Sequence, residues 1–377
     1  MKVLHIIYTK GISGAEKYLR DLLPGLKKEG VDCELMLVSP GQFSNQLMSY
    51  CEEMEKLGIK TTCLSAGRPG FLRAAWKVSG YLKKNKIDII HSHLFNADLI
   101  AALIKQFFYK KIFIFSTKHG YSEKVLNEYT ESTRKVKHDL YYRVTRYALG
   151  KIDRNISISD GISNLYMNLG FARERYPVIS HGINIDPLPQ KNADEPYRQS
   201  PNQLIIVGRL EEFKGHHYLL EAMPEMTKQI PDLKLLVLGE GSRTTQLQEQ
   251  VNRLELQEHV SFLGFCKDPY SYMTNSDVII MPSSFEPFGL VFIESFALRV
   301  PVVAFDAPAG NEIISDNETG MLVPRNDSVK LASTIIHLLQ QPAERERISA
   351  NAYLRFIEYY NTARMCRDTA AFYRECR

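Results

Sequence analysis

Ser283-Ser284-Phe285-Glu286-Pro287-Phe288-Gly289-Leu290-Val291-Phe292-Ile293-Glu294 is the stretch on which the reading of this chain turns. The run before it, Asp277-Val278-Ile279-Ile280-Met281-Pro282, has the length and branched residues of a short buried strand. An amphipathic helix opens near Gly289. Glu286 therefore falls in the loop at the strand's carboxyl end, and Glu294 more than one turn into the helix. In open parallel α/β sheets that edge is where ligands bind. A carboxylate accepts two hydroxyl hydrogen bonds at once, so two glutamates there suit two sugar rings, such as a hexose and a ribose. By themselves the same residues also fit a helix cap and a solvated helix face.

Outward from this stretch the pattern alternates. Residues 203–208 (QLIIVG), 234–238, 260–263 and 300–305 read as strands, and 244–254, 328–340, 343–356 and 362–373 as helices. Nearer the amino terminus, 2–8 (KVLHIIY), 34–38, 88–93, 111–117, 154–159 and 176–180 read as strands. Helical patterns there cover 43–57, 71–84 and 96–107, and one follows Gly14 with Tyr18, Leu19, Leu22, Leu23 and Leu26 on one face. Such alternation predicts an α/β chain of doubly wound parallel sheets. The polar, proline-rich segment from Pro187 to Pro196 reads as a linker. The expected organisation is two Rossmann-like domains facing a cleft, 1–185 and 203–357, joined by 186–202.

The chain has 377 residues, 44% of them hydrophobic, enough for about two domains with sizeable cores. Its six cysteines are scattered without a Cys-x-x-Cys pair, which favours neither a zinc site nor a disulfide framework and makes a reducing cytoplasm the expected compartment. The first apolar run is too short for a signal peptide, and no run has the length of a spanning helix. The net charge of +4 conceals an asymmetry: residues 1–200 carry 30 basic and 20 acidic side chains, the remainder 17 and 23. The basic stretch from Ser132 to Lys151, interleaved with Tyr141, Tyr142 and Tyr147, suits either an anionic membrane surface or inward packing of its tyrosines.

Two loops have the form of phosphate sites. Lys10-Gly11-Ile12-Ser13-Gly14-Ala15-Glu16 follows the first strand and opens a helix, leaving backbone N–H groups free to meet an anion, and Gly14 permits close approach. It is not the G-x-G-x-x-G of a nicotinamide site. Gly208-Arg209-Leu210-Glu211-Glu212-Phe213-Lys214-Gly215 mirrors it in the second half. Arg209 offers a planar fork to two phosphate oxygens and Lys214 a compact charge. Fixed cations there stabilise charge developing on a departing diphosphate. No Asp-x-Asp occurs to hold a bridging divalent metal, so the two cations are expected to take its place. His119, ending the strand before Gly120, points to the same edge as Gly14, and His91 and His93 end the preceding strand.

Taken together, Glu286-x7-Glu294, Gly208-Arg209-x4-Lys214-Gly215, Gly14-Ala15-Glu16 and His119-Gly120 resemble the family-4 glycosyltransferases of GT-B fold, and Gly239-Glu240-Gly241 and Pro301-Val302-Val303-Ala304 fit the same pattern. The resemblance implies a retaining, metal-independent hexosyltransferase that needs no cofactor beyond its nucleotide diphosphate sugar, a uridine donor being favoured over guanosine. It implies that Glu286 binds hydroxyls of the donor sugar, that Glu294 holds the ribose, and that Arg209 and Lys214 hold the diphosphate. Glu240, Gly289 and Leu290 would complete the donor site, with His119 beside the transferred sugar and Gly14 near the phosphate. Ser13 and His93 are expected on the acceptor side. The acceptor would be a glycan or lipid-linked sugar in polysaccharide or cell-envelope synthesis, met in the cytoplasm or at the inner membrane face, without nucleic acid. The last helix, 358–377, would complete the first domain. A nucleotide-sugar epimerase of the same fold and a noncatalytic nucleotide-sugar-binding protein remain the alternatives.

Overall fold

The run KVLHIIY forms β1 (Lys2–Tyr8), buried along its middle because both faces of a central parallel strand are covered by helices. The computed structural model describes residues 1–67, 70–120, 139–185, 188–189 and 197–375. The chain divides into two units, one comprising Met1–Asn184 with Asn361–Arg377 and the other Ile185–Tyr360.

In the first unit β1 is joined by β2 (Asp32–Ser39), β3 (Lys60–Ser65), β4 (Ile89–His93), β5 (Phe113–Lys118) and β6 (Arg154–Ser157). They form one parallel sheet in the order β3-β2-β1-β4-β5-β6. Register sets what lies on each face. His5 lies opposite His91, and His93 opposite Thr117. Because strand side chains alternate with period two, these four share a face. Tyr373 of the carboxyl-terminal helix Thr362–Glu375 covers that face, and the helix packs along Gly14–Lys28. The opposite face carries Ser92 and Ser116, which bond Asp98 of the helix Phe95–Leu103.

The second unit repeats the plan with β7 (Gln203–Val207), β8 (Lys234–Leu238), β9 (Val260–Gly264), β10 (Val278–Met281), β11 (Val302–Phe305) and β12 (Met321–Val323). The order is β12-β11-β10-β7-β8-β9, all parallel. The strand order reverses between β7 and β10, so the loops leaving these two neighbours open side by side at the carboxyl edge.

Residues 176–180 form no strand, contrary to the sequence reading. Pro177 has no N–H for a ladder, and the segment touches the sheet only at the bridge Ser157–Val178. The helix expected over 96–107 runs as α-helix to Leu103 and continues as a π-helical turn, Ile104–Phe108. β3 and β12 were missed: the first is a polar edge strand and the second spans three residues. Within the basic stretch, Leu140–Leu149 is a helix that buries Tyr142, Thr145, Ala148 and Leu149, while residues 132–138 lie outside the described residues. The fold also brings two cysteines together, Cys51 and Cys63, with sulfurs 2.8 Å apart. Among the described residues no helix is long and apolar enough to cross a membrane.

Candidate functional site

The loops at the reversal of the second sheet build a charged site from residues far apart in sequence. Lys214 Nζ donates to Glu286 Oε1 at 2.5 Å, across 72 positions. Ser283 Oγ donates to the same oxygen at 2.9 Å. The carboxylate is buried, and its ammonium partner is largely so. Two loop contacts hold the approach: Ser284 N donates to Phe213 O at 2.9 Å, and Ser284 Oγ donates to the same carbonyl at 3.3 Å. Phe213 also lies under both cations, its centroid 5.8 Å from Arg209 Cζ and 5.6 Å from Lys214 Nζ.

Glycine is required at two turns of this site. Gly215 has φ +70°, and a Cβ there would lie 1.9 Å from the Pro282 carbonyl oxygen. That approach is what lets the loop after β7 lie against the loop after β10. Gly289 has φ +80°, and a Cβ would meet the Phe292 ring at 2.4 Å. It is the N-cap of the helix Leu290–Ala297, so the turn that carries Glu286 passes directly into the helix that carries Glu294. Glu294 is buried and accepts from the Tyr270 hydroxyl at 3.1 Å.

The β7 and β8 loops are joined by backbone bonds from Gly208 N to Leu238 O (2.9 Å) and from Leu210 N to Glu240 O (3.0 Å). The exposed Glu240 side chain accepts from Phe265 N at 3.3 Å. Lys214, Glu286 and Gly289 thus form one cluster, with Arg209 joined to it through Phe213, Leu290 beginning the next helix, and Glu240 on the adjoining loop. Phe213, Ser283 and Tyr270 belong to this site and were not singled out in the sequence. Only Ser283 carried a local signal there, a hydroxyl three residues before the glutamate.

In the first unit, Ser13 and Gly14 stand exposed at the start of the Gly14–Lys28 helix. Ser13 donates through its backbone N (2.8 Å) and Oγ (2.5 Å) to Glu16 Oε2, which ties the residue before the helix to its first turn. Glu16 itself is fully buried, which fixes the loop before the helix.

His119 directly follows β5 and is half-buried, beside Tyr18 at a ring separation of 4.8 Å. Its Nε2 meets His93 Nδ1 at 3.0 Å, and His93 Nε2 meets His5 Nδ1 at 3.1 Å. His93 is therefore fully buried with both nitrogens engaged, and it reaches no acceptor directly, in contrast to its expected place on the acceptor side. Burial lowers His5 and His119 to about 3 and drives His91 and His93 well below the usual imidazole range, where neighbouring charge adds to the effect. All four are neutral at neutral pH.

The ring nitrogens of His5, His91 and His93 gather within 4.8 Å of one another, a spacing that raises the question of a metal ion. The orientations answer it. His91 and His93 are stacked at 4.4 Å, and the nitrogens of His91 point instead to Tyr373 and Thr117. A metal needs lone pairs converging on one point, whereas these rings are hydrogen-bonded in series. On the other face Lys118 Nζ is buried against Asp98 Oδ2 at 2.6 Å, and Tyr166 OH donates to the Gly120 carbonyl at 3.3 Å, holding the strand end that carries His119.

Comparisons with known proteins match both halves. The family model "Glycosyltransferase Family 4" matches residues 12–187, and "Glycosyl transferases group 1" matches residues 189–355. A phosphatidyl-myo-inositol mannosyltransferase of Mycobacterium leprae is 29% identical over 279 residues, spanning 73% of this chain and 70% of that relative. From Campylobacter jejuni, N-acetylgalactosamine-N,N'-diacetylbacillosaminyl-diphospho-undecaprenol 4-alpha-N-acetylgalactosaminyltransferase is 26% identical over 382 aligned positions, covering 97% of each. Among solved structures, Anabaena HepE in complex with UDP-glucose superposes with a TM-score of 0.81 at 20% identity over the whole of both chains. The sucrose-phosphate synthase of Thermosynechococcus elongatus gives 0.80 at 22% identity, covering 100% of this chain and 99% of that one.

Proposed function

We propose that this chain, which belongs to the family-4 glycosyltransferases of GT-B fold, moves a hexose from a nucleotide diphosphate sugar to a lipid-linked or glycan acceptor, with retention and without a metal ion. The observation that carries the donor-site reading is the contact between Lys214 and Glu286 at the reversal of the second sheet. It joins a cation for the diphosphate to a carboxylate for sugar hydroxyls within one hydrogen bond's length.

Lys214 has three N–H donors, so holding Glu286 leaves others for phosphate oxygens. Arg209, across the Phe213 ring, adds a fork for the same group. Charge accumulates on the β-phosphate as the glycosidic bond breaks, and cations fixed there favour the transition state over the ground state. Glu286, anchored by Lys214 and Ser283, presents its other oxygen to donor hydroxyls. Glu294, held by Tyr270, takes the ribose. The departing phosphate accepts the acceptor's proton on the face it leaves, which yields retention without a protein nucleophile.

HepE binds UDP and UDP-glucose, which supports a uridine donor. The two relatives named above act on a phosphatidyl-myo-inositol and a diphospho-undecaprenol glycan, which supports a lipid-linked acceptor.

The test is transfer from a panel of UDP- and GDP-hexoses to lipid-linked acceptors in excess chelator, with the product's anomeric linkage read by NMR. Retention from one donor supports the proposal. Inversion, or activity that appears only when metal is restored, refutes the mechanism. Conversion of donor to an epimer in the absence of acceptor would establish the epimerase alternative.

A further inference from the structure

The helix Asn45–Lys56 reverses at Leu57–Ile59 through backbone bonds from Gly58 N to Glu55 O and from Ile59 N to Met54 O, both 2.9 Å, and the chain returns along it as β3. Side chains alternate along β3, so Thr62, which donates to the Tyr81 hydroxyl at 3.3 Å, and Cys63 turn to opposite faces. On its face Cys63 meets Cys51, which lies on the buried side of the helix with Leu47, Tyr50 and Met54. The two sulfurs are 2.8 Å apart, inside van der Waals contact. A disulfide bond of about 2.05 Å needs a movement of only about 0.8 Å from there. Among the described residues no third metal-ligating side chain joins them, so the pair is a dithiol and lacks the ligands of a zinc site.

The two sulfurs differ in access. β3 is the edge of its sheet, and Cys63 is exposed there, whereas Cys51 is buried. Burial, with the neighbouring sulfur adding to it, pushes the Cys51 thiol up to about 12 and keeps it protonated at neutral pH. One sulfur that an oxidant reaches, beside a sheltered one that resolves the product, is the division of labour of a redox pair.

We infer that Cys51 and Cys63 form a reversible redox site, in which a peroxide oxidises Cys63 and Cys51 then closes a disulfide that clamps the helix Asn45–Lys56 to the sheet edge. The Cys63 sulfur attacks one peroxide oxygen: an S–O bond forms, the O–O bond breaks, and the second oxygen leaves as water with the thiol proton. The Cys51 sulfur displaces the remaining oxygen: the S–S bond forms, the S–O bond breaks, and that oxygen leaves as water with the Cys51 proton. The two thiols lose two electrons and the peroxide is reduced to water. A small thiol reverses the sequence by attacking the exposed Cys63 sulfur.

The clamp bears on the loop before the first helix. Tyr50, adjacent to Cys51, donates its buried hydroxyl to Glu16 O at 2.8 Å, and Glu16 holds Ser13. The start of the same helix flanks this loop, with Gln46 Oε1 standing 3.6 Å from where a Cβ on Gly11 would lie. Oxidation therefore stiffens the support of residues 11–16 through Tyr50.

The test treats the reduced full chain with a slight molar excess of hydrogen peroxide, blocks remaining thiols with N-ethylmaleimide under denaturing conditions, and maps the peptides by mass spectrometry. The expected result is a linked Cys51–Cys63 peptide, loss of two of the six alkylatable thiols, and reopening of the bond in excess reduced glutathione. Cys51→Ala should halt the reaction at a Cys63 sulfenic acid captured by dimedone, and Cys63→Ala should leave Cys51 alkylatable. Absence of the link, Cys63 driven past the sulfenic acid without linking, or a bond that glutathione does not reopen overturns the inference. If Cys51→Ala does not fold, the wild-type map and Cys63→Ala decide the matter. Amide exchange of the oxidised chain should slow about threefold or more along Asn45–Lys56 and at residues 13–17, relative to the reduced chain. In Tyr50→Phe the slowing should persist in the helix and vanish at residues 13–17. Unchanged exchange in the helix refutes the clamp, and slowing confined to the helix in the wild type refutes the relay through Tyr50. None of these readouts uses donor or acceptor, so their failure leaves the proposed transfer standing.

Discussion

Acid should unfold the first unit well before the second. His5, His91, His93, His119 and His181 all belong to the first unit, and burial lowers every one of them. Their folded-state values lie at about 3 for His5, His119 and His181 and well below the usual range for His91 and His93, against about 6.5 in an unfolded chain. Below pH 6.5 the unfolded state therefore binds protons that the folded state refuses. The stability is fully present above that pH and is lost as the pH falls from 6.5 towards 3. Between pH 7 and 5.5 each such histidine removes about 1.2 kcal/mol, so the five together remove about 6 kcal/mol, comparable with the whole stability of many domains. In the second unit only His216 is comparably buried, at about 3, with His217 lowered less. Urea unfolding at pH 7 and 5.5, followed by amide exchange resolved by unit, measures the difference. The sole tryptophan, Trp76, lies in the first unit and offers a fluorescence signal for it. Equal losses in the two units, or a loss under about 2 kcal/mol in the first, would refute the reasoning.

Three further outcomes follow from particular contacts. Asp98→Asn leaves the Lys118 ammonium buried without its counter-charge and should cost about 3–5 kcal/mol in urea unfolding of the first unit; a loss below about 1 kcal/mol contradicts the pairing. Gly215→Ala forces a Cβ onto the Pro282 carbonyl at positive φ, so it should cost about 2–3 kcal/mol and weaken nucleotide binding, both absent if the loops are independent. Lys214→Met strands the Glu286 carboxylate, so adding Glu286→Gln should recover most of the lost stability without restoring transfer; additive losses in the double-mutant cycle would show the two uncoupled.

Much of the fold could be read from local signals because strands such as Val278–Met281 are continuous apolar runs bounded by turns, and the alternation with helices makes them parallel. Lys60–Ser65 was not readable: an edge strand is exposed on one side, and its Lys-Thr-Thr carries no burial pattern. Residues 176–180 misled in the opposite direction, because apolar Val178-Ile179 sits where Pro177 blocks the ladder. At the site, the loop position of Lys214 and Glu286 followed from motif and strand alone. Their direct contact did not, since it depends on β10 lying next to β7, a matter of sheet order. The histidine series shows the same limit. His91 and His93 are neighbours in sequence, but their link to His5 needs the β1–β4 register. The link to Tyr373 spans 282 positions and needs the last helix to pack on the first sheet.

The central claim, that Glu286 grips the donor's sugar while the diphosphate is held by the cations, is tested most directly by calorimetry in excess chelator. The Kd values of UDP and of the preferred UDP-hexose are compared in the wild type and Glu286→Gln. The account predicts that Glu286→Gln weakens the UDP-hexose at least tenfold, about 1.4 kcal/mol, and leaves UDP within about twofold. Equal weakening of both ligands, or of neither, would contradict it.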